Sequence, residues 1–343
     1  MRANWFIVLW TPPAFRAASP AKYSSSPRDA RGALTETSFL GRKIDPSRGL
    51  GFAAGLYVRA VRHGLPPRAA ALSSGRNNRG RVVAYSDLLA AMEARDGAFH
   101  VTPGDEWRQG QTLYGGLSAA LAVEAGTRAF PDLPPLRSAQ IAFVGPSTGP
   151  LTITPGLLRR GKSSAFVSVA TIGESGAATQ ATLCHGAARD SAHIFTRLPM
   201  PDVPGPEGLP DFFAGGRGPT FSRQFDARLA GGGWPTSGSA RPECLVWLRL
   251  RDAAPPSGPA TLVALGDALP PAVMTQFTAF APISSMTWSV EFLSSATPPG
   301  GDWYLMHSIA ETAGEGYSAQ TMTLWHESAA PVLISRQTVA IYA

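Results

Sequence analysis

The feature that most constrains the fold of this chain is an internal repeat with a nearly constant spacing. Segments about 150 residues apart follow the same plan of helix and strands. The matched pairs are Gly116 with Gly266 at a shift of 150, Leu151 with Trp303 at 152, Ser164 with Ser318 at 154, and Ala178 with Val332 at 154. Because the shift changes so little, the sequence predicts a duplicated unit of one helix and one antiparallel sheet. Such a unit buries its helix against its sheet, and two units side by side can join their sheets.

The local patterns within each copy alternate between helical and strand periods. In the first copy we expect helices at 86–94 and 115–130, then strands at 138–144, 151–160, 165–172 and 178–184. In the second copy we expect a strand at 244–250, an apolar helix at 261–269 ended by two prolines, and strands at 286–293, 303–311, 318–325 and 332–341. The chain therefore divides into a first unit at 84–190, a Pro- and Gly-rich connector at 191–242 and a second unit at 243–343.

The basic character of the chain belongs to its N-terminal quarter. The net charge is +6, but residues 1–83 hold 14 Lys/Arg and 3 Asp/Glu, whereas the remainder holds 16 and 21. Residues 1–83 show no sustained period, and we interpret them as an extension. A transit peptide, a short signal-like segment at 4–10 and a start upstream of the true one near Val82 or Val83 all stay open. The mildly acidic remainder has no basic groove with interleaved aromatics, so we expect no nucleic-acid partner.

Several other function classes lack their sequence signals. Two cysteines, Cys184 and Cys244, cannot form a disulfide scaffold and favour a reduced, cytoplasmic protein. The six histidines are scattered without zinc-ligand spacing, so we expect no metal and no cofactor. No apolar run approaches the roughly 20 residues of a membrane-spanning helix. Nucleophilic serine and dinucleotide-binding motifs are missing from the sequence as well.

One segment matches a phosphate-binding loop literally. Residues 156–163 fit the pattern G-x-x-x-x-G-K-[ST]. That loop needs a helix directly after it, whose N-terminal N–H groups hold phosphate. Because residues 165–172 alternate as a strand does, we predict a hairpin turn at Gly161 and Lys162 instead.

A few polar residues stand out from their apolar surroundings. Asp267 lies in an apolar helical segment, where an ionised carboxylate is unfavourable unless it is hydrogen-bonded or used; capping or exposure are the structural alternatives. Gln337 and Ser285 or Thr287 lie on predicted strands, where alternation alone explains a polar residue. The string at 109–116 ends in two glycines directly before a helix, where partial positive charge is available.

These residues together resemble the acyl-CoA thioesterase II family of double-hotdog thioesterases. The resemblance covers about residues 84–343. It includes the string Gly110-Gln-Thr-Leu-Tyr-Gly-Gly116 with its Ala-rich helix, the strand at 138–143, the Gly266-Asp267 pair, the strand at 285–292 and the strand at 336–339. The resemblance implies an α+β double hotdog, with two antiparallel sheets each wrapped around a central helix.

The resemblance also implies a role for each matched residue. In the family an Asp, a Thr and a Gln of the second unit orient a hydrolytic water. Asp267 and Gln337 match the Asp and the Gln, whereas Ser285 stands at the Thr position. Thr287 is two residues further on, so we expect it to face the same side of the strand and to be able to replace Ser285.

The implied reaction is hydrolysis of a thioester without a covalent enzyme intermediate. Asp267 would be the general base. Backbone N–H groups near Gly115 or Gly116, beside Tyr114, would bind the oxyanion. The acyl chain would enter an apolar tunnel, and Arg159, Arg160 and Lys162 are candidates to contact coenzyme A, with a solvated turn as the alternative. These last candidates complete the predicted site.

Other interpretations remain open at this point. A hotdog protein that binds acyl-CoA without efficient turnover, or with another specificity, is the main alternative. A hydratase would need an Asp and His pair, which the expected helix lacks. We expect acyl-CoA as the partner and no membrane span, and a homo-oligomer stays open.

Overall fold

The computed structural model describes residues 83–216 and 218–342, so the interpretations of the N-terminal extension lie outside the described residues. Its α-helices are α1 (Tyr85–Ala90), α2 (Gly115–Ala129) and α3 (Pro259–Gly266). Its strands are β1 (Glu93–Arg95), β2 (Ala98–Val101), β3 (Arg108–Gln109), β4 (Thr112–Leu113), β5 (Leu136–Phe143), β6 (Leu151–Arg160), β7 (Ser164–Gly173), β8 (Gly176–Gly186), β9 (Phe225–Gly232), β10 (Glu243–Leu250), β11 (Ile283–Phe292), β12 (Tyr304–Gly314), β13 (Tyr317–His326) and β14 (Pro331–Ile341). No described helix is long and apolar enough to cross a membrane.

The two copies share one continuous antiparallel sheet of 12 strands. The strand order is β1-β2-β6-β7-β8-β5-β11-β14-β13-β12-β10-β9, and β3 and β4 form a separate ribbon. β5 and β11 pair antiparallel at the centre, from Ser138 with Glu291 to Ala142 with Thr287. The expected two sheets are therefore one sheet. They join because β5 and β11 are edge strands of their own copies, and each has free backbone N–H and C=O groups to pair with the other at this seam.

Both long helices lie on the same face of the sheet, called the inner face here. α2 packs on β6, β7 and β8, α3 packs on β10 and β14, and the two helices contact each other. Small residues allow this close packing: α2 reads GGLSAALAVEAGTRA, and ten of its residues are buried. α3 is buried from Ala260 to Gly266. It ends three residues earlier than predicted, because the prolines at 270 and 271 disfavour helix in the residues before them.

Five strands escaped the sequence prediction: β1, β2, the two-residue strands β3 and β4, and β9. β1 and β2 are short, and they form a hairpin whose turn residues Asp96 and Gly97 both have positive φ. An Asp-Gly pair is typical of such a turn, so the signal was present in the sequence. β9 lies within the expected connector and pairs with β10. Its other edge is covered, since Phe212 N–H donates to Ala227 O (2.9 Å) and Leu229 N–H donates to Pro210 O (3.1 Å).

The connector also covers part of the outer face of the second copy. Trp247, Leu305 and Trp325 form a row across β10, β12 and β13. The indole N–H of Trp247 donates to Pro204 O (2.8 Å), and that of Trp325 donates to Leu198 O (2.9 Å). Because Leu305 between them is fully buried, the chain from 198 to 204 forms a second, smaller apolar layer there.

We expect this layer to contribute strongly to stability. Leu305→Ala should lower the free energy of unfolding by about 2–5 kcal/mol, since it leaves a cavity under the connector. Ile309→Ala is the matched control, because Ile309 lies on the same strand and face but is 36% exposed. It should change the free energy of unfolding by less than about 1 kcal/mol. Denaturant unfolding measures both, and equal losses would contradict the covering role of the connector.

Candidate active site

Asp267 lies where the end of α3 meets the start of α2. It is the residue directly after α3. Its Oδ1 accepts a hydrogen bond of 2.6 Å from Gln337 Nε2 on β14, and its carboxylate also accepts from the backbone N–H of Gly116. Asp267 therefore connects residues of both copies. A carboxylate is disfavoured at the C-terminal end of α3 because of the helix dipole. The N-terminal end of α2 offsets this, since the N–H of Gly116 has no partner within its own helix and donates to Asp267.

Glycines let the two helix ends approach this closely. A Cβ on Gly115 would lie 2.8 Å from Asp267 Oδ2 and 3.4 Å from the ring of Phe143. A Cβ on Gly266 would lie 3.2 Å from the ring of Trp288 on β11. Larger residues at either position would push Asp267 away from α2 or from the sheet.

Burial changes the acidity of Asp267. Desolvation raises the pKa of its carboxyl from 3.8 to about 7, although the hydrogen bonds from Gln337 and Gly116 act in the opposite direction. Part of the residue remains exposed. A carboxyl group that exchanges its proton near neutral pH can act as a general base for a water molecule bound beside it.

Gln337 is itself held by a second glutamine that sequence reasoning missed. Gln337 Oε1 accepts from Gln320 Nε2 on β13 (2.8 Å), and Gln320 Oε1 accepts from the backbone N–H of Ala272 (2.8 Å). Both glutamines are 2% exposed. A chain of hydrogen bonds thus runs from the backbone of Ala272 through two amides to Asp267.

Ser285 and Thr287 lie on opposite faces of β11, so the expectation that they face the same side is wrong. Ser285 pairs with Val339, whereas Thr287 pairs with Thr338, which places a β-bulge at Met286. The extra residue breaks the alternation of side chains. Ser285 shares the inner face with Gln337, on the diagonal position, whereas Thr287 is exposed on the outer face.

Phe143 is a further neighbour of the site that the sequence did not single out. It lies on β5 beside the bulge of β11, on the inner face. Its ring approaches Gly115, which in turn approaches Asp267. The ring therefore forms an apolar wall beside Asp267 Oδ2.

Tyr114 joins the two copies from a buried position. Its hydroxyl donates to Ala264 O of α3 (2.6 Å), and its ring stacks on Phe221 at a centroid distance of 3.9 Å. Burial raises the pKa of its phenol well above the usual value. These contacts are structural, and they hold the start of α2 against α3.

The predicted basic residues lie away from the carboxylate. Arg159 and Arg160 end β6, and Lys162 is in the tight turn before β7, where Gly161 N–H donates to Ser164 O (2.8 Å). The predicted hairpin is confirmed. The turn neighbours the start of β5, whereas Phe143 ends β5, so the two are separated by roughly 20 Å along the strands. Arg160 is bound to Asp132 (2.5 Å).

The first copy carries apolar residues where the second carries the glutamines. The shift of 154 makes Leu183 of the first copy equivalent to Gln337 of the second. Leu183 pairs with Val167 on the neighbouring strand, and Gln337 pairs with Gln320 in the same way. Leu183 and Val167 are fully buried. The duplicated fold therefore holds this polar network in its second copy.

One group of potential metal ligands lies elsewhere. Asp302, His326 and Glu327 bring ligand atoms within 4.8 Å of one another. His326 already binds Asp302 through Nε2 (2.9 Å) and Ser328 through Nδ1 (2.8 Å). Glu327 accepts from the backbone N–H of Trp303 (3.1 Å). Hydrogen bonds between the segment before β12 and the turn after β13 account for this arrangement.

We expect Asp267→Asn to stabilise the protein more at alkaline pH than at acidic pH. The pKa of Asp267 is about 7 in the folded state and near 3.8 in the unfolded state, so the folded protein binds the extra proton between these values. Wild-type stability therefore falls as pH rises through this window. The gain from Asp267→Asn at about pH 8 should exceed that at about pH 4 by about 1–3 kcal/mol. Denaturant unfolding at both pH values measures it; a pH-independent gain would contradict a raised pKa.

Two family models match the chain, one in each copy of the repeat. The family model described as acyl-CoA thioesterase N-terminal domain matches residues 103–186, and the one described as acyl-CoA thioesterase C-terminal domain matches residues 199–341. Together they cover most of the described chain. No curated protein sequence matches the chain.

Solved structures have the same fold. A conserved protein of unknown function with a hot dog fold from Alicyclobacillus acidocaldarius is 24% identical, with a TM-score of 0.69 over 76% of this chain and 99% of that one. A putative thioesterase II from Thermobifida fusca is 19% identical, with a TM-score of 0.64 over 74% and 97%. An acyl-CoA thioesterase II from Mycobacterium marinum is 18% identical, with a TM-score of 0.60 over 75% and 98%. The fold is thus an α+β hotdog fold, and with both domain models matched the chain belongs to the acyl-CoA thioesterase family of thioester hydrolases.

Proposed function

We propose that this protein hydrolyses acyl-CoA to the free acid and coenzyme A, with a water molecule activated by Asp267. The observation that carries the proposal is the bond between Gln337 and a partly exposed Asp267 with a pKa of about 7. A carboxyl group with a pKa of about 7 is about half ionised at neutral pH and largely ionised above it, yet it is basic enough to accept a proton from attacking water.

The reaction proceeds by direct attack of water on the thioester. As the water oxygen bonds to the carbonyl carbon, Asp267 takes one of its protons, and the carbonyl oxygen becomes an oxyanion. The intermediate then collapses, the carbon–sulfur bond breaks, and the proton on Asp267 passes to the leaving sulfur. The products are a carboxylic acid and the thiol of coenzyme A.

Other residues orient the reacting groups. Gln337 holds Asp267, and we assign the second hydroxyl of the site to Ser285 because it shares the inner face with Gln337. Since Gly116 N–H already bonds to Asp267, we assign oxyanion binding to the N–H of Gly115. Phe143 would line the path of the acyl chain. We assign no coenzyme A contact to Arg159, Arg160 or Lys162.

The site needs both copies of the repeat. Asp267, Ser285 and Gln337 come from the second unit, which we place at 243–343, whereas Gly115, Gly116 and Phe143 come from the first, at 84–190. We infer that the two units with their connector at 191–242 form one catalytic body, so that neither unit hydrolyses thioesters alone.

Release of free thiol from a panel of acyl-CoA substrates tests the proposal. Asp267→Asn should lower kcat by about 10²–10⁴-fold, because the base is lost. Ser285→Ala should lower kcat by about 10-fold, since one group orienting the water is removed. Thr287→Ala is the matched control on the opposite face and should stay within about 2-fold of wild type. Equal background rates for wild type and Asp267→Asn would overturn the proposal.

The alternative is a protein that binds acyl-CoA without turnover. The hydrogen bond from Gly116 to Asp267 favours this alternative, because it also describes a carboxylate that caps a helix. Saturable binding of acyl-CoA without Asp267-dependent thiol release would support it.

We expect the activity to depend on the ionisation of Asp267. Below the pKa of about 7, kcat/KM should fall about tenfold for each pH unit, because only the ionised carboxylate accepts the proton of water. Above it, kcat/KM should level off. Rates of thioester loss from about pH 5 to about pH 9 measure the profile. A profile that is flat from about pH 5 to about pH 7 would exclude Asp267 as the base.

A further inference from the structure

We propose that Gln320 is a positioning residue that fixes which end of the Gln337 amide faces Asp267. This inference rests on the proposed function, in which Asp267 is the base. Gln320 touches neither Asp267 nor the place of the reacting water; its described polar contacts are Gln337, Ala272 and a weak one to Met322 Sδ. It acts through Gln337.

The amide group of a glutamine has a donor end and an acceptor end, and it can rotate by half a turn to exchange them. The N–H of Ala272 can only donate, and it lies 2.8 Å from Gln320 Oε1. That contact therefore holds Gln320 Oε1 toward Ala272, in the segment after α3, and Gln320 Nε2 points toward Gln337.

The same constraint then passes to Gln337. Gln320 Nε2 lies 2.8 Å from Gln337 Oε1. If the Gln337 amide rotated, its NH2 group would face the NH2 group of Gln320, and two buried donors would lack acceptors. Gln337 must therefore present its NH2 group to Asp267 Oδ1, as the 2.6 Å contact shows.

This fixed direction favours the ionised form of Asp267. A carboxylate accepts hydrogen bonds, whereas a protonated carboxyl can also donate one. With Gln337 held in place, a proton on Oδ1 would face an NH2 group. The proton taken from water therefore belongs on Oδ2, the oxygen beside Gly115 and Phe143. The hydrogen bonds from Ala272 through Gln320 and Gln337 to Asp267, called the relay here, thus keep Oδ1 as an acceptor, and we assign the proton transfer to Oδ2.

Charged groups on the described elements around Asp267 do not determine its protonation. The phenol of Tyr114, at the start of α2, is coupled to Asp267 and stays neutral through burial. Arg336 of β14 is exposed and pairs with Glu311 of β12, and Glu291 of β11 accepts from Ser289. Desolvation and the two hydrogen bonds therefore set the protonation of Asp267.

The residue matched to Gln320 in the repeat supports a specific role. On β7 the partner of Leu183 is Val167, so the first copy fills this place in the sheet with an apolar pair. The fold accepts a hydrophobic residue there. A buried glutamine in the second copy is therefore not required for the sheet itself.

Gln320→Met tests the inference, because methionine has a similar length and no amide. Without the relay, Gln337 can rotate when Asp267 is protonated, which stabilises the protonated form. We expect the pH midpoint of kcat/KM to rise by about 0.5–1 unit and kcat above the midpoint to fall by about 3–10-fold, with little change in KM. Gln320→Leu should behave alike if methionine impairs folding. Ser335→Ala is the control, since Ser335 is buried on the same face of β14 and its Oγ lacks a described hydrogen-bond partner.

A second readout separates failure of this inference from failure of the proposed function. We define the Asp267-dependent stability as the difference in the free energy of unfolding between a protein and its Asp267→Asn variant at each pH. The pH midpoint of this difference should rise in the Gln320→Met background, as the midpoint of kcat/KM does. An unchanged midpoint in both profiles would overturn the positioning role while Asp267-dependent turnover stood. If wild type lacks such turnover, the proposed function fails, and the stability profile still decides the role of Gln320.

Discussion

The contact between Asp267 and the first turn of α2 determines how the rest of this molecule is arranged. It brings a carboxylate from the end of one helix to the N–H groups at the start of another, in a place where little water competes. For this contact to form, both helices must lie on the same face of the sheet with their ends adjacent, and Gly115 and Gly266 must lack side chains. The seam between β5 and β11 sets that geometry, because it fixes the two copies as halves of one sheet.

The duplicated fold places two pairs of buried residues at equivalent strand positions, and the two copies fill them differently. In the first copy Val167 and Leu183 extend the core, whereas in the second Gln320 and Gln337 replace them with amides. An apolar pair adds stability, and a buried amide pair must find every hydrogen-bond partner to avoid a penalty. The first copy is thus apolar at these positions, while the start of its helix α2 donates a hydrogen bond to Asp267 of the second copy.

Much of the fold could be predicted from the sequence, because strand alternation and the repeat reported the same elements. The candidate site was harder. Gln320 falls in an alternating strand, where a polar residue predicts nothing beyond an exposed face, and only the partner strands reveal that its face is buried. The bulge at Met286 leaves no mark in the alternation, so Thr287 was placed on the wrong face. The prediction that Arg159 and Arg160 contact coenzyme A rested on their charge. Charge in a sequence does not indicate how far a residue lies from Asp267 in the fold.

The two outer edges of the sheet limit how copies of this protein can associate. At one end, β1 has three exposed residues, of which Glu93 and Arg95 are charged. At the other, the chain at 210–212 occupies backbone groups of β9. Neither edge offers a long, open row of amides to an incoming strand. One end of the sheet is therefore short and charged and the other is covered, and both features disfavour growth of the sheet from one molecule into the next.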